Sequence, residues 1–220
     1  MRVIFRADAS MQIGTGHVMR CLTLADALRE RGGRCGFVCR EHPGHLLDLI
    51  RARGHEVHAL PLNDAPPACR GRVSHDHAGW LGADWGSDAL QTLAAIHGVP
   101  VDWLVVDHYA LDARWEKQLG AHCSKLLVID DLADRPHDCD LLLDQNLNRR
   151  PADYDQLCPT QTSLLVGPDY ALLQPDFAEL RSYSFARRSE GRLERLLISM
   201  GGVDKDNATG SVLNVLMSCN

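Results

Sequence analysis

"IGTGHVMRCLTLADAL", Ile13 to Leu28, stands two residues after "VIFRADAS", Val3 to Ser10. The earlier stretch reads as a buried strand ending in polar residues. In the later one Val18, Cys21, Leu22, Ala25 and Leu28 recur at helical spacing, with Arg20, Thr23, Asp26 and Arg29 on the opposite side. Gly14, Gly16 and His17 therefore fall at a strand-to-helix turn. Free N–H groups and the helix dipole favour an anion there.

Strands and helices alternate outward from this turn. "CGFVC" reads as a strand, Pro43 to Gly54 as helical, and His55 to Pro61 as a strand. A helix over Asp88 to His97 precedes a strand over Asp102 to Tyr109. A helix over Ala113 to Cys123 precedes a strand over Lys125 to Leu132. Further apolar runs are "DLLLDQN" (Asp140 to Asn146) and "SLLVGPDYALL" (Ser163 to Leu173). Near-continuous Val/Ile/Leu strands alternating with helices predict an α/β fold, a parallel sheet covered on both faces. Ligands of such sheets sit beyond the strands' carboxyl ends. Asp8 and Ser10, Asp107-His108-Tyr109, Asp130-Asp131 and Asp144-Gln145-Asn146 are expected on that rim. Leu62 to Asp88 is a long polar connection that Trp80 and Trp85 would staple down.

Three segments follow. Residues 1–180 are expected as a Rossmann-like lobe and 181–192 as a linker or exposed helix end. Residues 193–220 begin a second unit, where "LERLLISMGG" repeats the strand-then-glycine-turn pattern and "DNATGSVLNVLMSC" is helix-like. One strand and one helix cannot make a domain, so the second unit is expected to be incomplete.

The 220 residues are 45% hydrophobic and 24% charged, with a net charge of −6 that argues against nucleic acid. The N-terminal apolar run is too short for a signal-peptide core, and no stretch of about 18 apolar residues occurs. A cytoplasmic protein with eight thiols and no membrane partner is expected. Cys35 and Cys39 would lie roughly 13 Å apart along a strand, too far to share an ion. His75 and His77 on one strand-like face, and His137 and Cys139 in "RPHDCD", match no zinc pattern. No metal is expected.

A dinucleotide fingerprint would want a glycine where Met19 stands and an acid where the second strand ends in Arg40. His17 is read either as a helix-start residue bonding locally or as a general base, since a helix N-terminus disfavours the imidazolium. Arg20 is either a structural ion pair or a charge aimed into the cleft, and Cys21 is core. Asp107 and Asp130-Asp131 are acid–base carboxylates or simply caps. Gly201-Gly202 is a phosphate cradle or an ordinary turn. Two glycine turns, each heading a helix in its own unit, suggest a diphosphate ligand.

"FRADASMQIGTGHVMRCLTLADAL", "HAGWLGADWGSDA", "DHYALDARWE", "IDDLADRPHDCDLLLDQN", "GPDYALLQPDF" and "LISMGGVDKDN" resemble the UDP-2,4-diacetamido-2,4,6-trideoxy-β-L-altropyranose hydrolases of pseudaminic acid biosynthesis, which serves flagellin glycosylation. The match runs in order from Met1 to about Asn207. The resemblance implies a GT-B architecture with the second lobe truncated here. It implies cleavage of UDP from the sugar by water at the anomeric carbon, with inversion and without a metal or other cofactor. The family's catalytic histidine falls on His17. Gly14 and Gly16 fall on the loop that lets backbone approach substrate, and Gly201 and Gly202 fall near the UDP phosphates. Arg20, Asp107, His108 and Tyr109 are carried as substrate-binding candidates. A UDP-sugar is the one partner expected, and the chain is expected to be a monomer. The alternatives are a GT-B glycosyltransferase and a non-catalytic nucleotide-sugar-binding module. With so little of a second lobe, the 220 residues alone are expected to be inactive and to bind UDP no more tightly than about millimolar.

Overall fold

A computed structural model describes residues 1–62, 77–98, 100–189, 191–192, 195–201, 204 and 206–218. The chain divides into two compact units, Met1–Leu172 and Leu173–Asn220.

The first unit is one parallel sheet of seven strands: β1 (Arg2–Ala7), β2 (Arg34–Arg40), β3 (Glu56–Leu60), β4 (Trp103–Asp107), β5 (Lys125–Ile129), β6 (Leu141–Asp144) and β7 (Ser163–Val166). Their order is β3-β2-β1-β4-β5-β6-β7. All neighbours run parallel, with Val3 opposite both Cys35 and Trp103. Parallel strands need crossovers, and α-helices supply the first four: α1 (Gly16–Glu30), α2 (Leu47–Ala52), α3 (Trp85–Ala95) and α4 (Ala113–Gly120). The expected α/β class with a covered parallel sheet is therefore observed.

Two apolar layers flank the sheet. Val18, Cys21, Leu22 and Ala25 of α1 and Leu47 and Ile50 of α2 pack with Phe5, Phe37 and Val105. The Phe5 and Phe37 rings stack at 4.8 Å. Ala89 of α3 and Trp115 and Leu119 of α4 pack with Ile4, Val38, Leu104 and Val128 on the other face. The helical register read from the α1 sequence is the one buried.

Several boundaries differ from expectation. The helix expected from Pro43 begins at Leu47, because proline and the left-handed Gly44 (φ 85°) hold the chain in a turn. In the long connection, residues 63–76, including His75, lie outside the described residues. His77 is not on a strand but precedes a short 3₁₀ turn, Ala78–Leu81. α3 begins three residues earlier than expected, because Asp84 caps it by accepting from the Ser87 N–H at 3.0 Å.

The compact division falls between Leu172 and Leu173, whereas the sequence reading ran the first lobe to residue 180 and began the second unit at 193. Pro175 opens a helix, α5 (Pro175–Glu179), and the segment read as a linker or an exposed helix end holds an exposed helix, α6 (Arg181–Arg187). Residues 195–201 form no strand, although "LERLLISMGG" was expected to supply one. An apolar run becomes a strand only when it pairs with a partner, and the described residues 195–201 take part in no strand pairing. α7 (Ala208–Ser218) follows, with the Asp204 carboxylate accepting from the N–H groups of Ala208 and Thr209.

Candidate functional site

The chain runs from β1 outward to β3, then returns to β4 and proceeds the other way. The order therefore reverses between β1 and β4, the switch point where α/β sheets bind ligands. α1 starts just beyond the end of β1, and Asp107 closes β4.

The turn between β1 and α1 is tightly built. Ser10 and Gly14 exchange backbone hydrogen bonds, and the Ser10 hydroxyl accepts from the N–H groups of Gln12 and Ile13. Gly14 has φ +81°, a conformation costly for other residues. No side chain caps α1 at Thr15.

His17 and Arg20 lie one helical turn apart, so both face β4. The His17 Nδ1 lies 2.6 Å from Asp107 Oδ1. A carboxylate can only accept, so Nδ1 carries the proton of this bond and Nε2 is the ring nitrogen left to exchange one. Arg20 clamps the same carboxylate through Nε and Nη2, both at 2.6 Å, and reaches Asp131 with Nη1 at 2.6 Å. The Cys21 thiol donates to Asp107 Oδ2 at 3.5 Å. Asp107 is fully buried. Burial alone would push its carboxyl up, but His17 and the Arg20 bonds outweigh it and hold the group well below the usual carboxylate range.

Asp131 is fixed from both sides. The Tyr109 hydroxyl donates to its Oδ2 at 2.7 Å, and its carbonyl accepts from Asn146 and Arg149. Burial and Asp131 together push the Tyr109 phenol up, so it stays a donor. The Tyr109 ring meets the edge of His17 at 4.5 Å and lies beside His77 at 5.3 Å and Trp80 at 5.9 Å. Trp80 thus anchors its end of the long connection. Trp85 packs on the core instead, beneath the Arg114 guanidinium.

A second ionic cluster lies under the same rim. Arg6 grips Asp88 with Nε and Nη2 and Asp8 with Nη1, while Arg40 adds Nη2 to Asp88 at 2.6 Å. All four side chains are fully buried. His108 is buried with them. Its Nδ1 accepts from the Ala110 N–H, and its Nε2 faces Asp8 Oδ2 at 3.3 Å. Burial pushes its imidazole down.

His17, Arg20, Asp107 and Tyr109 thus come together in one network, whereas His108 is spent on the buried cluster below. Gly201, with φ +83°, belongs to the second unit, and Gly202 lies outside the described residues. Arg20 is ion-paired to both Asp107 and Asp131. The contribution of Cys21 went unread because its spacing marks it only as core. Among the described residues no cluster of three or more His, Cys, Asp or Glu is arranged to hold a metal, and no helix is long and apolar enough to cross a membrane.

No family model matches the chain. It is 27% identical over 217 residues to the UDP-2,4-diacetamido-2,4,6-trideoxy-β-L-altropyranose hydrolase of Campylobacter jejuni, covering 98% of this chain and 66% of that protein. It is 22% identical over 224 residues to an uncharacterized protein of Methanocaldococcus jannaschii, covering 99% of this chain and 40% of that one. The chain thus spans two thirds or less of the length of these relatives. Among solved structures, MurG of Acinetobacter baumannii superposes with a TM-score of 0.48 and 11% identity, over 75% of this chain and 44% of that one.

Proposed function

We propose that this chain carries the catalytic base of a hydrolase that cleaves UDP from a 2,4-diacetamido-2,4,6-trideoxy sugar, at a step in pseudaminic acid biosynthesis. The observation that carries the reading is the His17–Asp107 contact at the switch point of the sheet. Asp107 holds the Nδ1 proton, so Nε2 is the basic atom. A water attacks the anomeric carbon from the face opposite UDP, its proton passes to His17 Nε2, and the sugar–phosphate C–O bond breaks with its electron pair leaving on UDP. The anomeric configuration inverts. Arg20 and Tyr109 act through Asp107 and Asp131, holding the two carboxylates in place. Backbone N–H groups of the Gly14–Gly16 turn face the substrate. The similarity to the Campylobacter hydrolase over nearly the whole of this chain supports the reading.

The test is to incubate the complete gene product with the UDP-sugar and no acceptor. UDP and free sugar are expected in equal amounts. His17→Asn is expected to lower kcat by roughly 10²–10⁴-fold, the usual size of acid–base catalysis, with KM little changed. UDP release only when an acceptor sugar is added would identify a transferase instead. Turnover like the wild type in His17→Asn would remove His17 from the mechanism.

A further inference from the structure

Three of the four tryptophans pack in the apolar layers of the sheet. Trp85 and Trp115 lie with α3 and α4, and Trp103 lies on the face of α1 and α2. Among the described residues, Trp80 is in neither layer. It sits partly exposed at the carboxyl end of the sheet. Its indole meets the His77 ring at 4.5 Å, edge to face, and tilts against Tyr109 at 5.9 Å. Tyr109 in turn meets His17 at 4.5 Å. The Tyr109 ring is itself fixed, since Asp131 takes its hydroxyl and the Arg135 guanidinium lies 5.9 Å from its centroid. The chain around Trp80 is pinned as well. The Trp80 N–H donates to the His77 carbonyl at 2.9 Å, and Leu81 is buried in the core. Gly82 has φ +68°, and a Cβ there would stand 2.7 Å from His42 Cε1, so glycine is what lets the loop close on the end of β2. A partly exposed aromatic ring, outside the core and held in place beside the base, is suited to bind rather than to pack.

From this placement we propose that Trp80 is the residue that selects the sugar: its indole takes the C6 methyl of a 6-deoxy sugar and disfavours the counterpart with a 6-hydroxyl. The inference rests on the hydrolase reading above and deepens it. Two successive ring contacts separate the indole from the His17 imidazole. A pyranose whose anomeric carbon meets the water at His17 Nε2 reaches across Tyr109 to the indole with its far edge. A methyl group on that edge gains contact with the ring. A hydroxyl there loses its water and meets a face that offers no hydrogen bond, since the indole's one polar group is an in-plane N–H. An apolar surface rejects an added hydroxyl by no more than about 10²-fold, so the selection is a preference and not an exclusion. His77 is a positioning residue, because it props the indole edge to face and acts through it. Because the loop is already held by Leu81 and Gly82, the ring needs little ordering when the sugar arrives.

The experiment gives the complete gene product two substrates of one configuration, the UDP-2,4-diacetamido-2,4,6-trideoxy sugar and its 6-hydroxy counterpart, and measures UDP release from each. The readout is the ratio of the two kcat/KM values, which does not depend on how much of a preparation is folded. The wild type is expected to favour the 6-deoxy sugar by about 10–200-fold. Trp80→Ala should cut that preference at least about 10-fold, through a higher KM for the 6-deoxy sugar with kcat little changed, and Trp80→Phe should keep most of it. A Trp80 that serves the fold alone would slow both substrates alike. A ratio unchanged in Trp80→Ala, or a wild type that cleaves both sugars equally well, would overturn the inference and leave the hydrolase reading standing. No UDP release from either sugar would instead overturn the hydrolase reading, and the sugar contact is then read by itself. Titration with the free 2,4-diacetamido-2,4,6-trideoxy sugar should shift the tryptophan fluorescence of the wild type and not that of Trp80→Phe. The same response from both proteins, or none from the wild type, would overturn the role given to Trp80.

Discussion

Replacing Asp107 with asparagine keeps the shape of the side chain and removes its charge. The carboxylate accepts three bonds at 2.6 Å, two from Arg20 and one from His17. Arg20 keeps its contact with Asp131, so the variant does not strand the guanidinium completely. Breaking a buried ion pair by removing one partner costs about 3–5 kcal/mol, and the surviving Asp131 contact argues for the lower end, about 3 kcal/mol. All four tryptophans lie in the first unit, so urea unfolding followed by tryptophan fluorescence reads the loss where it occurs. The pH dependence supplies an independent check. The folded Asp107 carboxyl sits below its unfolded value of about 3.9, so its contribution is fully present above that value and fades as pH falls toward the folded one. The gap between wild type and Asp107→Asn should therefore shrink by about 1 kcal/mol between pH 5 and pH 3. Equal stability of the two proteins at pH 7, or a gap that widens on acidification, would refute the account of this carboxylate.

Two further substitutions probe the scaffold by the same fluorescence assay. Asp88→Ala leaves the buried guanidinium of Arg40 without its carboxylate and Arg6 with Asp8 alone. It should cost about 3–5 kcal/mol, and near-wild-type stability would mean the cluster is not a stabilising unit. Gly14→Ala meets no atom within 4 Å, so its cost is backbone strain alone, about 1–2 kcal/mol at φ +81°. An unchanged midpoint would show that the turn relaxes without loss.

The parallel sheet was legible because its signal is local. Val/Ile/Leu strands and helical apolar spacing are read within about a dozen residues, and α1 buried the face its sequence marked. The place of His17 in the first turn of α1 was legible for the same reason, since glycines announce a helix start. The partner of His17 was not. Asp107 lies 90 residues away, and the two meet only because β1 and β4 are neighbours in the sheet. Arg6 and Arg40 looked like the polar ends of strands, yet both are buried. Asp88, 82 and 48 residues onward in α3, makes that burial tolerable. The run at 195–200 shows the converse: its apolar sequence reads as a strand, but pairing is a property of two segments, not one.

The central position of β1 has a consequence for how the chain is made. Val3 pairs with Cys35 on one side and Trp103 on the other, so β1, once synthesised, waits for β4, some hundred residues later. At synthesis rates of about 5–20 residues per second, one edge of β1 stays open for roughly 5–20 s. During that interval a row of unpaired amides beside Ile4 and Phe5 is a template for any other nascent strand. Growth temperature, expression rate and holding chaperones should therefore govern the yield of native protein more strongly than the stability of the finished sheet does.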